Sequence, residues 1–188
     1  EHRWLNRSIE TAQRRVEQQN FSIRKRTLEY DDVMNRQRTV IYGFRGEIVR
    51  AADPRPLLYE VLYNVLYTRA EAALKDGQEE TVAGFLVWLH SLFPIAVKRE
   101  ELGDGKGEIE PVVQKLWDKV QQAYETKMAA EAPEFRVAVE RHVMLQAIDS
   151  HWQDYLRSMD QLRQGVGLRA YGQRDPLIEY KREAFEMF

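Results

Sequence analysis

Residues 9–49 read IETAQRRVEQQNFSIRKRTLEYDDVMNRQRTVIYGFRGEIV. Along this stretch Ile9, Ala12, Val16, Asn20, Ile23, Thr27, Tyr30, Met34, Gln37, Ile41, Phe44 and Ile48 recur at intervals of three and four. That spacing lines side chains along one face of an α-helix. No proline interrupts the run, and glycine enters only at Gly43 and Gly46. The pattern predicts one unbroken helix over residues 1–50, a rod of roughly 60 Å at the helical rise. Such a rod is longer than a compact domain of this chain length, about 30–40 Å across. It must therefore project, or have other segments laid along it.

Asn20, Thr27 and Gln37 are polar at positions where a self-sufficient coiled coil takes Leu or Ile. A scaffold helix that touches several partners in turn is expected, rather than a coiled-coil dimer. The opposite face carries Arg14, Arg15, Arg24, Lys25, Arg26, Arg36 and Arg38, with Glu29, Asp31 and Asp32 grouped mid-helix. A face of this kind is either solvated or a docking surface for an acidic partner.

The chain has 188 residues and a formal net charge of −2, so the strongly basic domain typical of nucleic-acid binding is missing. Charge is unevenly spread. Lys and Arg outnumber Asp and Glu by 4 in residues 1–50, fall short by 6 in residues 51–135, and balance in residues 136–188. The middle therefore reads as a separate acidic module. With no cysteine, neither a disulfide framework nor thiolate chemistry is available. The charged first twenty residues do not resemble a signal peptide. The longest apolar run, Phe85 to Val97, is broken by His90, Ser91 and Pro94 and is shorter than the roughly 20 residues of a membrane span. A soluble fragment of a larger protein is expected.

Asp53-Pro54-Arg55-Pro56 ends the first helix, because proline disfavours helical geometry in the residue before it. A second helix is predicted over Leu57 to Leu74, with Leu58, Val61, Leu62, Val65, Leu66, Ala70 and Ala73 inward and a stop near Gly77. Thr81 is the expected cap of a third, which presents Val82, Phe85, Leu86, Leu89 and Phe93 and ends before Pro94. The stretch LGDGKG, residues 102–107, reads as a surface connector. It lacks both the preceding strand and the Gly-Lys-Ser/Thr ending of a phosphate loop. Pro111 suits a first helical turn, followed by Val112, Val113, Leu116, Val120, Ala123 and Tyr124.

From Pro133 a second long helix is predicted over Glu134 to Gln164, on a three-four alternation through Leu145, Ile148, Trp152, Tyr155, Met159, Leu162 and Val166. Trp152 and Tyr155 are expected in the core. Gly165 and Gly167 end it. After the turn-rich LRAYGQRDP, residues 168–176, the helical pattern resumes from Leu177 to Phe188 through Ile178, Lys181, Ala184, Phe185 and Phe188. The outcome is a helical hairpin with Leu168, Arg169, Tyr171 and Gln173 at its tip. His142, Asp149, His151 and Asp154 are metal-ligand types, and His151 and Asp154 share a helix face at a spacing of three. The Glu-x-x-His pairs of di-metal helical bundles are missing, and surface and polar-partner roles account for these side chains more simply.

Three long motifs resemble the SecA family of ATP-driven preprotein-export motors: RKRTLEYDDVMNRQR (24–38), VMLQAIDSHWQDYLRSMDQLRQGVGLRAYGQRDP (143–176) and EYKREAFEMF (179–188). The resemblance implies an all-α fold: a long scaffold helix in residues 1–50, a helical wing module in 51–133, and in 134–188 the returning scaffold as an antiparallel two-helix finger packed on the long helix. It implies docking of the parent's nucleotide-binding and preprotein-binding domains on the scaffold helix, through Arg24, Lys25, Tyr30, Asp31, Asp32 and Arg36. It also implies that a fingertip of Leu168, Arg169, Tyr171 and Gln173 meets unfolded preprotein and the SecYEG channel. The parent would be a translocating ATPase, holding ATP and Mg in motor domains outside this chain, which itself would have neither catalytic, cofactor nor metal residues. It would work in the cytoplasm at the inner face of the bacterial plasma membrane, against anionic lipid, without nucleic acid, and as a possible homodimer. The competing expectation is a spectrin-type structural adaptor with no transport role. That reading calls for internal repeats of about a hundred residues, and none is visible.

Overall fold

A computed structural model describes residues 3–103, 108–167 and 175–188. The described residues form six α-helices and one 3₁₀ turn, with no strand among them. The helices are α1 (Arg3–Arg50), α2 (Arg55–Asp76), α3 (Glu79–Leu92), α4 (Glu110–Met128), α5 (Pro133–Val166) and α6 (Pro176–Met187). The all-α expectation holds, and α1 is one uninterrupted helix of 48 residues. The chain divides into two compact units, one made of Glu1–Glu47 with Leu145–Phe188 and the other of Ile48–Met144.

Local chemistry sets the helix ends. Asp53 Oδ1 accepts the Arg55 amide at 3.0 Å at the start of α2. Gly77, at φ 66°, closes the same helix in the left-handed conformation, which costs glycine least. Asp175 caps α6 by accepting the Leu177 amide at 2.8 Å, with Pro176 in the first turn. Thr81 does not cap α3, which begins at Glu79; its hydroxyl instead bonds Asp76 at 2.5 Å. Helix α5 continues through Gly165 to Val166, whose side chain is buried and so holds the last turn in place.

In the unit Ile48–Met144, Leu66, Leu74, Val82, Leu89, Leu102 and Val113 form the centre of the core. The inward face of α2 differs from the expected one. Val61 and Val65 are exposed, and Tyr59 and Tyr63 point inward, each edge-on to Trp117 of α4 at 5.4 and 5.7 Å between ring centroids. Tyrosine suits this half-buried position because its ring packs while its hydroxyl finds a carboxylate: Glu125 for Tyr59 and Glu110 for Tyr63.

In the other unit α1, α5 and α6 meet around Trp152, Tyr155, Met159, Val166, Tyr180 and Ala184, with Tyr30, Val33, Met34, Ile41 and Leu162 against them. Trp152 and Tyr155 are buried, as expected. Tyr155 reaches Ala184 and Phe188, while Arg163, further along α5, acts on Tyr180, earlier in α6, so α6 folds back antiparallel to α5. The inward face of α6 is Tyr180 and Ala184, whereas Ile178 and Phe185 are 64% and 82% exposed. The small Ala184 allows close approach of its backbone, and Tyr180 packs edge-on against Tyr30 at 4.8 Å.

Candidate functional site

The six α1 residues expected to dock other domains fall into three environments. Arg24 and Lys25 are exposed, in a stretch from Arg3 to Leu28 where every side chain is exposed. Asp32 and Arg36 pair with each other along the helix at 2.9 Å, and both side chains face solvent. Tyr30 instead packs onto Tyr180, and the half-exposed Asp31 pairs with Arg163 of α5 at 3.5 Å. The structure therefore keeps Arg24, Lys25, Asp32 and Arg36 on the free surface and uses Tyr30 and Asp31 to hold α5 and α6.

The exposed half of α1 is also apolar along one side. Ile9, Val16 and Ile23, all on the expected stripe, remain 48%, 60% and 54% exposed. The same stripe is covered only from Tyr30 onward, by α5 and α6. Shallow grooves on this bare helix run beside Arg24, one past Phe21 and one past Ile9 and Val16. Apolar and cationic side chains thus lie side by side on this bare length of helix.

Leu168, Arg169, Tyr171 and Gln173 lie outside the described residues. The ends that hold this segment are described: Val166 is buried in the hairpin core and Asp175 caps α6.

Several polar residues that position the hairpin gave no sign of that role in the sequence. Gln37, legible only as a polar break in the stripe, is buried and donates from Nε2 to the Ala184 carbonyl at 3.1 Å. Tyr155 donates its hydroxyl to the same carbonyl at 3.0 Å, and burial pushes its phenol up to about 12, against a smaller opposing effect of Gln37. Arg45 grips Asp149 of α5 through two bonds, at 3.0 and 3.3 Å, and that carboxylate raises the pKa of the guanidinium. Of the other residues of metal-ligand type on α5, Asp154 pairs with Arg157, and His142 and His151 are exposed.

A second polar cluster sits in the Ile48–Met144 unit. Arg55 donates its Nε–H to Glu140 at 2.9 Å and pairs with Glu125 at 3.3 Å. Tyr124 also donates to Glu140, at 2.7 Å, and Tyr59 donates to Glu125. Burial opposes the charge on Arg55, yet the bonds to Glu140 and Glu125 outweigh it and raise its pKa. Both tyrosines are raised as well, first by burial and then by their carboxylate partners. Of these residues only Tyr124 lies on an expected stripe, that of α4; Arg55, Tyr59, Glu125 and Glu140 lie on none.

A family model described as "SecA Wing and Scaffold domain" matches residues 1–188, the whole chain. The chain belongs to the SecA family. It is 44% identical over 189 residues to the protein translocase subunit SecA of Chloroflexus aurantiacus, covering 98% of this chain and 19% of that protein. It is 39% identical over 198 residues to the subunit of Desulforudis audaxviator and 41% over 194 to that of Carboxydothermus hydrogenoformans, in both cases covering all of this chain and 22% of the relative. The chain thus spans about a fifth of the SecA relatives it matches. The match leaves the spectrin-type adaptor without support. It includes the SecA-like motif at 24–38, where α1 passes from bare to covered.

Proposed function

We propose that this chain is the scaffold, wing and two-helix-finger portion of a SecA motor. In this reading it is non-catalytic and couples ATP hydrolysis in motor domains elsewhere in the protein to movement of unfolded preproteins through the SecYEG channel. The observation that carries the reading is the family match across the whole chain, together with relatives named protein translocase subunits. Residues 1–50 serve as the scaffold helix, 51–133 as the wing and 134–188 as the returning scaffold and finger. Arg24, Lys25, Asp32 and Arg36, with the apolar stripe through Ile9, Val16 and Ile23, take the faces of the nucleotide-binding and preprotein-binding domains. ATP and Mg belong to those absent domains. Among the described residues no helix is long and apolar enough to cross a membrane. The parent works from the cytoplasm, peripheral to the inner face of the plasma membrane and its anionic lipid.

The fingertip of Leu168, Arg169, Tyr171 and Gln173 touches the translocating chain and the channel mouth. A tyrosine packs on varied side chains and hydrogen-bonds to a passing backbone, so Tyr171 grips without requiring a particular sequence. The test is Tyr171→Ala in the full-length protein, assayed for preprotein transport into SecYEG vesicles and for basal ATP hydrolysis. Transport is expected to fall sharply while basal hydrolysis and the melting temperature stay near the parent's. Normal transport, or ATP turnover by the 188-residue chain alone, overturns the reading.

A further inference from the structure

Within the Ile48–Met144 unit a cavity of about 440 Å³ opens between the start of α2, the end of α3, the second half of α4 and the start of α5. Leu62 from α2, Phe93 after α3, Val120 and Met128 from α4 and Met144 from α5 stand in its walls. Bounded by four helices and the Phe93–Pro94 segment, it is a socket rather than a groove along one helix pair. Its volume lies within the range of about 300–1,000 Å³ of small-molecule sites. It is about three times the ~150 Å³ of an apolar cavity that takes up benzene, so a molecule larger than one ring fits it.

The polar groups in the wall are already engaged. Glu140 is only 1% exposed, its charge is matched by Arg55 at 2.9 Å, and the Tyr124 hydroxyl donates to the same carboxylate at 2.7 Å. Where the wall leaves the helices, the Phe93 amide donates to the Leu89 carbonyl at 2.9 Å and the Phe93 carbonyl accepts the Ile95 amide at 2.8 Å. Lys127 also lines the cavity, but it is exposed and keeps its own water. Water inside such a space finds few partners, and displacing poorly held water with an apolar surface is favourable. A charged group brought in sheds its hydration with no counter-charge to replace it. Phe93 and Tyr124 offer rings to the occupant, and Met128 and Met144 offer polarizable thioethers. Both kinds of side chain make favourable contacts with an aromatic ring.

We propose that this cavity is a binding site for an uncharged aromatic molecule of about two fused rings, seated against Leu62, Phe93, Val120, Met128 and Met144. It enters between Leu92 and Val143, which are 58% and 55% exposed. Selection runs against charge of either sign. Of the two charged side chains in the lining, Glu140 is neutralised by Arg55 and Lys127 is held in water, so neither an ammonium nor a carboxylate recovers what it loses on entry.

The experiment titrates the 188-residue chain with indane, 2-aminoindane and indane-2-carboxylate. These share one ring skeleton and are neutral, cationic and anionic at about pH 7. Binding is followed by methyl NMR and by the melting temperature. Indane is expected to move the methyl resonances of Leu62, Val120, Met128 and Met144 through its ring current and to raise the melting temperature. Both ionised analogues should bind at least about tenfold more weakly. Ala123→Phe fills the cavity from α4 and should weaken indane binding at least about tenfold. Because that change also crowds the wall, Val143→Trp provides a second variant. It covers the exposed mouth with a ring of its own and should weaken indane binding likewise, while leaving the circular dichroism of the chain unchanged. An ionised analogue that binds as well as indane, indane binding undiminished by Val143→Trp, shifts confined to residues outside the cavity, or no shift up to the solubility of indane each overturns the proposal.

Discussion

Gln37 of α1 and Tyr155 of α5 donate hydrogen bonds to one acceptor, the Ala184 carbonyl of α6. Three helices distant in sequence are thereby tied at a single oxygen. Either donor alone can satisfy that oxygen, so Tyr155→Phe and Gln37→Leu should each cost about 1 kcal/mol in urea unfolding. The double variant should cost clearly more than the sum, because only then is a buried carbonyl left unpaired. Strict additivity would show that the two bonds act independently.

Arg55 is the hub of the second polar cluster, and its two carboxylate partners differ in burial. The Glu140 side chain is 1% exposed and that of Glu125 41%. Arg55→Ala leaves Glu140 as an uncompensated buried charge and should destabilise the chain by about 3 kcal/mol, as breaking a buried ion pair does. Glu125→Ala removes the more solvated partner and should cost about 1 kcal/mol. Chemical denaturation of both variants against the parent decides whether Glu140 is the partner that matters.

Alkaline stability should carry the signature of Tyr155. Burial raises its pKa to about 12 from an ordinary value of about 10, so the folded chain holds the phenolic proton more tightly than the unfolded chain. The associated stability is complete below pH about 10 and is lost as pH climbs toward about 12, on the order of 2 kcal/mol in all. Tyr180 is shifted in the same direction, first by burial. Urea midpoints measured from pH 8 to 12 should therefore be flat at first and then fall, and Tyr155→Phe should make the fall shallower. An unaltered profile in that variant would locate the effect elsewhere.

Amide hydrogen exchange should divide α1 near Glu29. From Arg3 to Leu28 the helix has no covered side chain, and isolated helices are marginal in water. Exchange should be fast there and slow from Tyr30 to Phe44, where α5 and α6 pack. Uniform protection along α1 in the isolated chain would mean that the first half has a partner of its own.

The long helices were legible because their signals are periodic and uninterrupted. Alternation of three and four gave α1 and most of α5 nearly to the residue, and Pro133, Pro176 and Gly77 marked ends by restricting backbone geometry. Trp152 and Tyr155 were placed in the core by their position on the stripe. Periodicity said less about which of two adjacent faces turns inward on short helices. On α6 the inward side chains are Tyr180 and Ala184, not Ile178 and Phe185, because a close backbone approach and an aromatic pair outweigh side-chain hydrophobicity there. The polar ties were not legible at all. Gln37 to Ala184, Arg45 to Asp149 and Arg55 to Glu140 join residues far apart in the chain, and nothing in either local sequence reports the other.

The bare half of α1 has a mechanical consequence. While a partner face keeps it helical, the segment from Arg3 to Leu28 is a lever arm of about 39 Å with its fulcrum where Tyr30 meets Tyr180. Rotating such an arm by about 5° at its base displaces the far end by about 3 Å, more than half the pitch of a helical turn. Small changes in how Tyr30, Gln37 and Ile41 seat against α5 and α6 would thus arrive at Trp4 as a stroke comparable to a side-chain length. In reverse, a load applied near Trp4 reaches the hairpin with its torque concentrated on those same few contacts.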